Sequence, residues 1–131
     1  GHLYVYQLHG HACANIVCGP EGVATAVLVR AGEVIAGLDA ARARRPGVPD
    51  SALAQGPGNL CRALGLTASD NGVDLATGRV RLLPPDAQLA PWASGRRVNV
   101  AHAATRLWRF WTPSASVSAY KRHPKADVGQ L

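Results

Sequence analysis

Residues 3–8 (LYVYQL) alternate in a way that constrains the fold more than any other stretch of the chain. A strand sends successive side chains to opposite faces, so Tyr4 and Tyr6 share one face while Leu3, Val5 and Gln7 share the other. Gly10 turns the chain without steric penalty, and the apolar-rich residues 12–18 return beside the first strand as a hairpin. The run Cys18-Gly19-Pro20-Glu21-Gly22 predicts a second turn. Residues 23–31 (VATAVLVRA) predict a buried third strand whose one charge, Arg30, stands near its end, and a cation there needs a carboxylate, a phosphate or water. Packing explains the apolar residues of this segment. It does not call for tyrosines, histidines, Asn15 or Arg30, so polar groups on rigid strands suggest a site.

At 131 residues, 47% hydrophobic and 17% charged, the chain suits one globular domain with a real core. Its apolar runs fall far short of the roughly 20 residues that a membrane helix needs, and its first residues lack the order of a signal peptide. The expectation is a soluble cytoplasmic protein with no membrane partner. Three cysteines, Cys13, Cys18 and Cys61, are an odd set that argues against a disulfide framework. Net charge is +6, and 12 of the 14 cations are arginine. Guanidinium matches phosphate in planar, bidentate geometry, which favours a polyanion, nucleic acid first, as partner. A GC-rich genome produces the same arginine bias without any such partner. The chain holds no methionine, even at position 1, so it reads as a piece of a longer protein.

Beyond the first three strands, residues 37–45 (GLDAARARR) predict a helix closing on Arg42, Arg44 and Arg45, which suit a helix C-terminus. Residues 46–49 (PGVP) end it, and Asp50 is placed to cap a short turn through Ala54. A second helix is predicted over residues 59–64, with Pro57 near its start and Gly65 after its end. Unpaired amides at that start could hold a phosphate. Residues 69–72 (SDNG) form a turn, 79–83 (RVRLL) a half-exposed strand and 84–91 a loop. Residues 96–100 (RRVNV), 107–111 (LWRFW) and 117–119 predict further strands, and Lys121 onward a frayed polar tail. Strands outnumber helices, so the fold class is α+β, one domain over residues 1–120 with a curved antiparallel sheet and a few short helices, followed by a tail over 121–131.

The strings LYVY, HG, Asn15, GPEGVATAVLVRA, GPGNLCRALGL, DNG, DL, RVNV and LWRFW occur in order from Gly1 to about Tyr120. Together they resemble the 3-methyladenine (alkyladenine) DNA glycosylases. The resemblance implies a base-excision repair enzyme, in bacteria a cytoplasmic, nucleoid-associated one. It would act as a monomer, without metal or cofactor, on double-stranded DNA carrying alkylated or deaminated purines. Chemistry on a base inside a duplex needs the nucleotide flipped out, an aromatic pocket, a wedge for the gap and cations along the backbone.

Carried over residue by residue, the resemblance makes Tyr6 the pocket tyrosine that stacks on the flipped purine, a contact worth about 1–3 kcal/mol per base. Asn15 matches the selectivity asparagine that crowds guanine's exocyclic amine, and Leu28 belongs to the same substrate-binding set. Arg30 matches the arginine beside the attacking water and the nucleotide phosphate. His9 stands where many members place a wedging tyrosine; imidazole is shorter and less apolar, so the wedge should be weaker. His11, on the same tip, suits a backbone contact, and Arg42 and Arg45 match DNA-binding arginines. Asn59 lies where relatives often have a lysine in GPxKLC, and can donate a hydrogen bond but no charge. Plainer readings stand beside these: Tyr6 as a core tyrosine, Asn15 satisfying a backbone group, Arg30 paired with Glu21 or Glu33, Arg42 on a solvated helix face. The spacing His9-x-His11-x-Cys13 with Cys18 would also allow zinc, although it contains no CxxC.

Hydrolysis of a purine N-glycosidic bond passes through a sugar with oxocarbenium character, so a carboxylate is expected to activate water. The family supplies it from a glutamate in an EAY-type motif that precedes the segment matched here, together with a pocket histidine. Glu21 and Glu33, the glutamates of this chain, lack that context. The expectation is a glycosylase segment lacking its general base. The alternatives are a non-catalytic nucleic-acid-binding module and an interaction domain whose basic surface is incidental.

Overall fold

The structure, a computed structural model, describes residues 1–85 and 91–117. Three strands, β1 (Leu3–Leu8), β2 (His11–Cys18) and β3 (Thr25–Leu28), form an antiparallel sheet in the order β1-β2-β3. Two helices follow, α1 (Leu38–Arg44) and α2 (Pro57–Leu64), with short 3-10 turns at Asp50–Ala52 and Ala68–Asp70. A second antiparallel sheet pairs β4 (Ala93–Gly95) with β5 (Arg109–Trp111). The class is α+β as the sequence implies, with the strands divided between two open sheets.

The β1-β2 hairpin turns on His9 and Gly10, both left-handed at φ 50° and 78°. Positive φ at both central residues is the geometry of a type I′ turn, whose twist matches that of the flanking strands. The turn fixes the pairing from Leu3 opposite Ile16 to Leu8 opposite His11. That register sends Leu3, Val5 and Ala14 to one face, where they are buried against Leu53, Leu60, Cys61 and Ala63 in the core. Helix α2 is built for this position. Pro57 opens it, and Gly65 closes it in the left-handed region while the Gly65 and Leu66 amides donate to Arg62 and Cys61, a Schellman end. Arg44 donates to the carbonyl of Ala63 at 3.0 Å and so ties α1 to the last turn of α2.

The outer edge of β1 is covered rather than open. Leu3 exchanges backbone hydrogen bonds with Gly72 and Val73, and the Val5 amide donates to Oδ1 of Asn71 at 3.0 Å. The turn carrying these partners is pinned by Asp70, which is fully buried. Its carboxylate accepts the Thr67 amide at 2.8 Å, completing a capping box, and pairs with Arg79. Pairing an edge in this way removes a template for strand addition.

Several sequence expectations are corrected. Residues 23–31 are not one buried strand: the ladder with β2 covers Thr25–Leu28, Thr25, Ala26 and Val27 are exposed, and among the described residues β3 pairs with β2 alone. Residues 79–83 form no strand: Arg79 is drawn to Asp70, and Leu82 donates a backbone hydrogen bond back to Leu75. The strand expected at 96–100 lies earlier, at Ala93–Gly95, and Asn99 at φ 57° interrupts any extension. The strand at 107–111 shortens to Arg109–Trp111. Asp50 caps no turn; its carboxylate receives both Nε and Nη2 of Arg42. The strand expected at 117–119 and the tail from Lys121 fall on or beyond residue 118, outside the described residues, as do residues 86–90 of the expected loop.

Asp70→Ala removes a cap acceptor and the partner of Arg79 together, and should lower unfolding free energy by about 2 kcal/mol in urea titrations. Asp39→Ala, at a side chain 99% exposed, should change it by less than about 0.5 kcal/mol. Equal effects of the two would contradict the anchoring role given to the Asp70 turn.

Candidate functional site

The face of the first sheet turned away from the helices carries Tyr4, Tyr6, Cys13, Asn15 and Leu28, because Tyr4 pairs with Asn15, Tyr6 with Cys13 and Asn15 with Leu28. The Tyr4 and Tyr6 rings lie 5.7 Å apart, tilted by 32°. Burial raises the pKa of the Tyr6 phenol, Cys13 adds to the rise, and the charge of Arg30 acts the other way. The phenol therefore stays neutral at physiological pH. It also lies within electrostatic reach of Arg30.

Asn15 is buried, and its Nδ2 donates to the carbonyls of Tyr4 at 3.2 Å and Cys13 at 3.3 Å. The backbone satisfaction read as the plain alternative is thus present, and it holds the amide rigidly in the sheet face. Leu28 stands opposite, and Arg30 follows it, half-buried. Past Arg30, Ala31 bridges Gln55, whose Nε2 donates to Val117 at 2.7 Å. These bonds draw the second sheet's flank toward β3.

Between the two sheets lies a cavity of about 590 Å³, lined by Asn15, Leu28 and Arg30 on one side and by Arg97, Trp108, Arg109, Phe110 and Trp111 on the other. Arg109 is buried and stacks 4.5 Å over Trp111. Its burial, and behind it the charge of Arg30, lower its pKa; an arginine starts so high that it remains a cation. Among the described residues no carboxylate lines the cavity. Asp39 and Asp50 serve Arg42, Asp70 serves Arg79, and Asp74 accepts the Ala76 and Thr77 amides. Glu21 and Glu33 are exposed. Such a cavity is aromatic and cationic, suited to a planar ring attached to an anion.

Tyr6 shares the sheet face of Asn15 and Leu28 but does not line this cavity, and the remaining sequence-derived residues also lie outside it. His9 is exposed at the hairpin tip, and His11 packs against Gly58, its Cβ 2.9 Å from where a Gly58 Cβ would stand, so the tip meets the first turn of α2 beside Asn59. Asn59 is exposed and donates to Gln55 at 2.8 Å. Arg42 is held by Asp50 at 2.8 Å and Asp39 at 3.0 Å, which raises its pKa. Arg45 donates through Nη1 to the carbonyls of Ala52 and Leu53. Among the described residues no three His, Cys, Asp or Glu side chains are grouped to hold a metal ion. The residues missed from sequence are Arg97, Trp108, Arg109 and Trp111. A signal existed: residues 91–117 hold all three tryptophans and four arginines and no acid.

The model of the family described as Methylpurine-DNA glycosylase (MPG) matches residues 1–116. A curated protein of Mycobacterium leprae (strain Br4923) named "Putative 3-methyladenine DNA glycosylase" is 53% identical over 133 residues, covering 98% of this chain and 61% of its own length. Proteins of the same name from Mycolicibacterium fortuitum, 53% identical, and Mycobacterium tuberculosis (strain ATCC 25177 / H37Ra), 50% identical, are covered over 68% and 64% of their lengths. The chain thus spans about three fifths of the length of the Mycobacterium leprae relative.

The shared environment of Tyr6 and Arg30 has a spectroscopic consequence. In ultraviolet difference titration of the protein, Tyr6→Phe should remove a phenol that ionises above its ordinary value of 10.0, and Arg30→Gln should move that ionisation higher still, since it removes the one charge that favours phenolate. A Tyr6 titration unaffected by Arg30→Gln would separate the two residues.

Proposed function

This chain belongs to the methylpurine-DNA glycosylase family, and from that premise we propose that it serves a base-excision repair glycosylase, one that hydrolyses the N-glycosidic bond of alkylated or deaminated purines flipped out of duplex DNA. The observation that carries the reading is the convergence of Asn15, Leu28 and Arg30 on one cavity, with Tyr6 on the same sheet face. The extruded purine stacks on Tyr6 and packs against Leu28. Asn15, fixed by two backbone carbonyls, crowds the exocyclic amine of guanine, and a rigid group rejects by clash where a mobile one would yield. Arg30 orients the attacking water and offsets the charge of the nucleotide phosphate.

His9 enters the gap left in the duplex, and His11 and Asn59 meet the backbone beside it. Arg45, at the C-cap of α1, is the firmer phosphate contact: among the described residues only its Nη1 is engaged, by the Ala52 and Leu53 carbonyls, whereas Arg42 would have to exchange Asp39 and Asp50 for phosphate. The protein acts as a monomer in the bacterial cytoplasm, at the nucleoid, without metal or cofactor.

No carboxylate lines the cavity among the described residues, and on this reading the general base is a glutamate of a longer protein that contains this chain. The same observation favours a second reading, a nucleic-acid-binding module without catalysis. Base release by a longer protein containing this chain separates the two.

Two outcomes are expected. The 131-residue chain alone should release neither hypoxanthine nor 3-methyladenine from duplex DNA above the uncatalysed rate, and vigorous release would overturn the assignment of the general base. In the longer, active protein Asn15→Ser should raise excision of normal guanine by about tenfold or more, equivalent to about 1.4 kcal/mol of lost discrimination; unchanged excision would remove the selectivity role.

A further inference from the structure

Residues 91–117 contain Arg96, Arg97, Arg106 and Arg109 and no aspartate or glutamate. At the centre of this segment Trp108 stands 56% exposed, and the guanidinium carbons of Arg97 and Arg106 each lie 5.4 Å from its ring centroid. A guanidinium stacked on an indole is held by its face, which leaves its N–H edge to donate in its own plane. Arg97 is fixed further by donating from Nη2 to the carbonyl of His102, while its Nε is buried with no acceptor among the described residues. A buried donor without an acceptor is costly and calls for one from a ligand. Arg106 is exposed. Arg97 and Trp108 also line the cavity that holds Arg30, and their partial exposure puts the stack at its rim.

We propose that Arg97, Trp108 and Arg106 form a phosphate clamp at the rim of the cavity, gripping the phosphodiester backbone of the DNA strand whose base enters it. The clamp rests on the reading of the cavity as a nucleotide pocket. Three features select a phosphodiester as occupant: a planar donor edge fits phosphate oxygens, neither Arg97 nor Arg106 pairs with a carboxylate among the described residues, and the rim is continuous with the pocket. The tryptophan holds both cations in position, so less side-chain freedom is lost when DNA binds.

The test is equilibrium binding of the full chain to two duplexes, one undamaged and one bearing hypoxanthine, across a salt series from roughly 0.05 to 0.2 M. Arg106→Gln should lower the slope of log affinity against log salt by about 1 and weaken binding about fivefold to tenfold, equally for both duplexes. Arg106→Lys keeps the charge and should restore most of the slope. Trp108→Leu should leave the slope intact and weaken binding about twofold to fivefold, the worth of an exposed cation–π pair. Arg106 and Trp108 are exposed, so neither variant threatens the fold. An unchanged slope in Arg106→Gln overturns the clamp while leaving the glycosylase reading intact. A loss confined to the hypoxanthine duplex overturns it too, by making Arg106 part of base recognition. If the parent chain shows no salt-dependent binding to either duplex, the nucleotide reading of the cavity fails together with the clamp.

Discussion

The structure depends on the register of one hairpin. His9 and Gly10 set the pairing of β1 with β2, and a side-chain period of two means that a slip of one residue would flip β1 relative to β2. With β2 held, Leu3 and Val5 would leave the core, and Tyr4 and Tyr6 would turn toward α2, away from Asn15. Burial of Leu3, Val5 and Ala14 and the hydrogen bonds from the Asp70 turn to the edge of β1 therefore hold the core and the pocket face in place at once. His9 pays conformationally for this at φ 50°, a region a non-glycine residue enters at some cost.

Among the described residues acids and cavity arginines lie apart, an arrangement that suits an anionic ligand. The aspartates of the described residues sit on the helix and turn side, each with an arginine or backbone amide as partner. The cavity side gathers Arg30, Arg97 and Arg109 around aromatic rings without a carboxylate among the described residues. A cluster of cations of this kind attracts a polyanion, and the attraction weakens as salt rises.

The first sheet was legible from sequence because its signals are local: alternation in residues 3–8, a glycine at the turn, a proline and a glycine bracketing α2. Tyr6, Asn15, Leu28 and Arg30 could be named from their positions in family strings; the register then brings Tyr6, Asn15 and Leu28 to one face, and Arg30 lines the cavity with Asn15 and Leu28. The exposure of β3 was not legible, since an apolar run reads the same whether a second layer covers it or not; Val27 at 56% exposure belongs to an edge strand. The second sheet was misplaced because its pairing joins Ala93 with Trp111 across a long connection, and no local rule fixes such a partner. Arg79 shows the same limit: its alternating neighbours suggest a strand, but a buried carboxylate nine residues earlier decides its conformation.

The central claim is that the cavity between the two sheets receives an extruded purine. The crystal structure of the protein bound to duplex DNA containing one hypoxanthine measures this directly. The account predicts the hypoxanthine ring against Tyr6, Asn15 and Leu28, with its own phosphate near Arg30. A hypoxanthine left stacked in the duplex, or seated elsewhere on the protein, would contradict it.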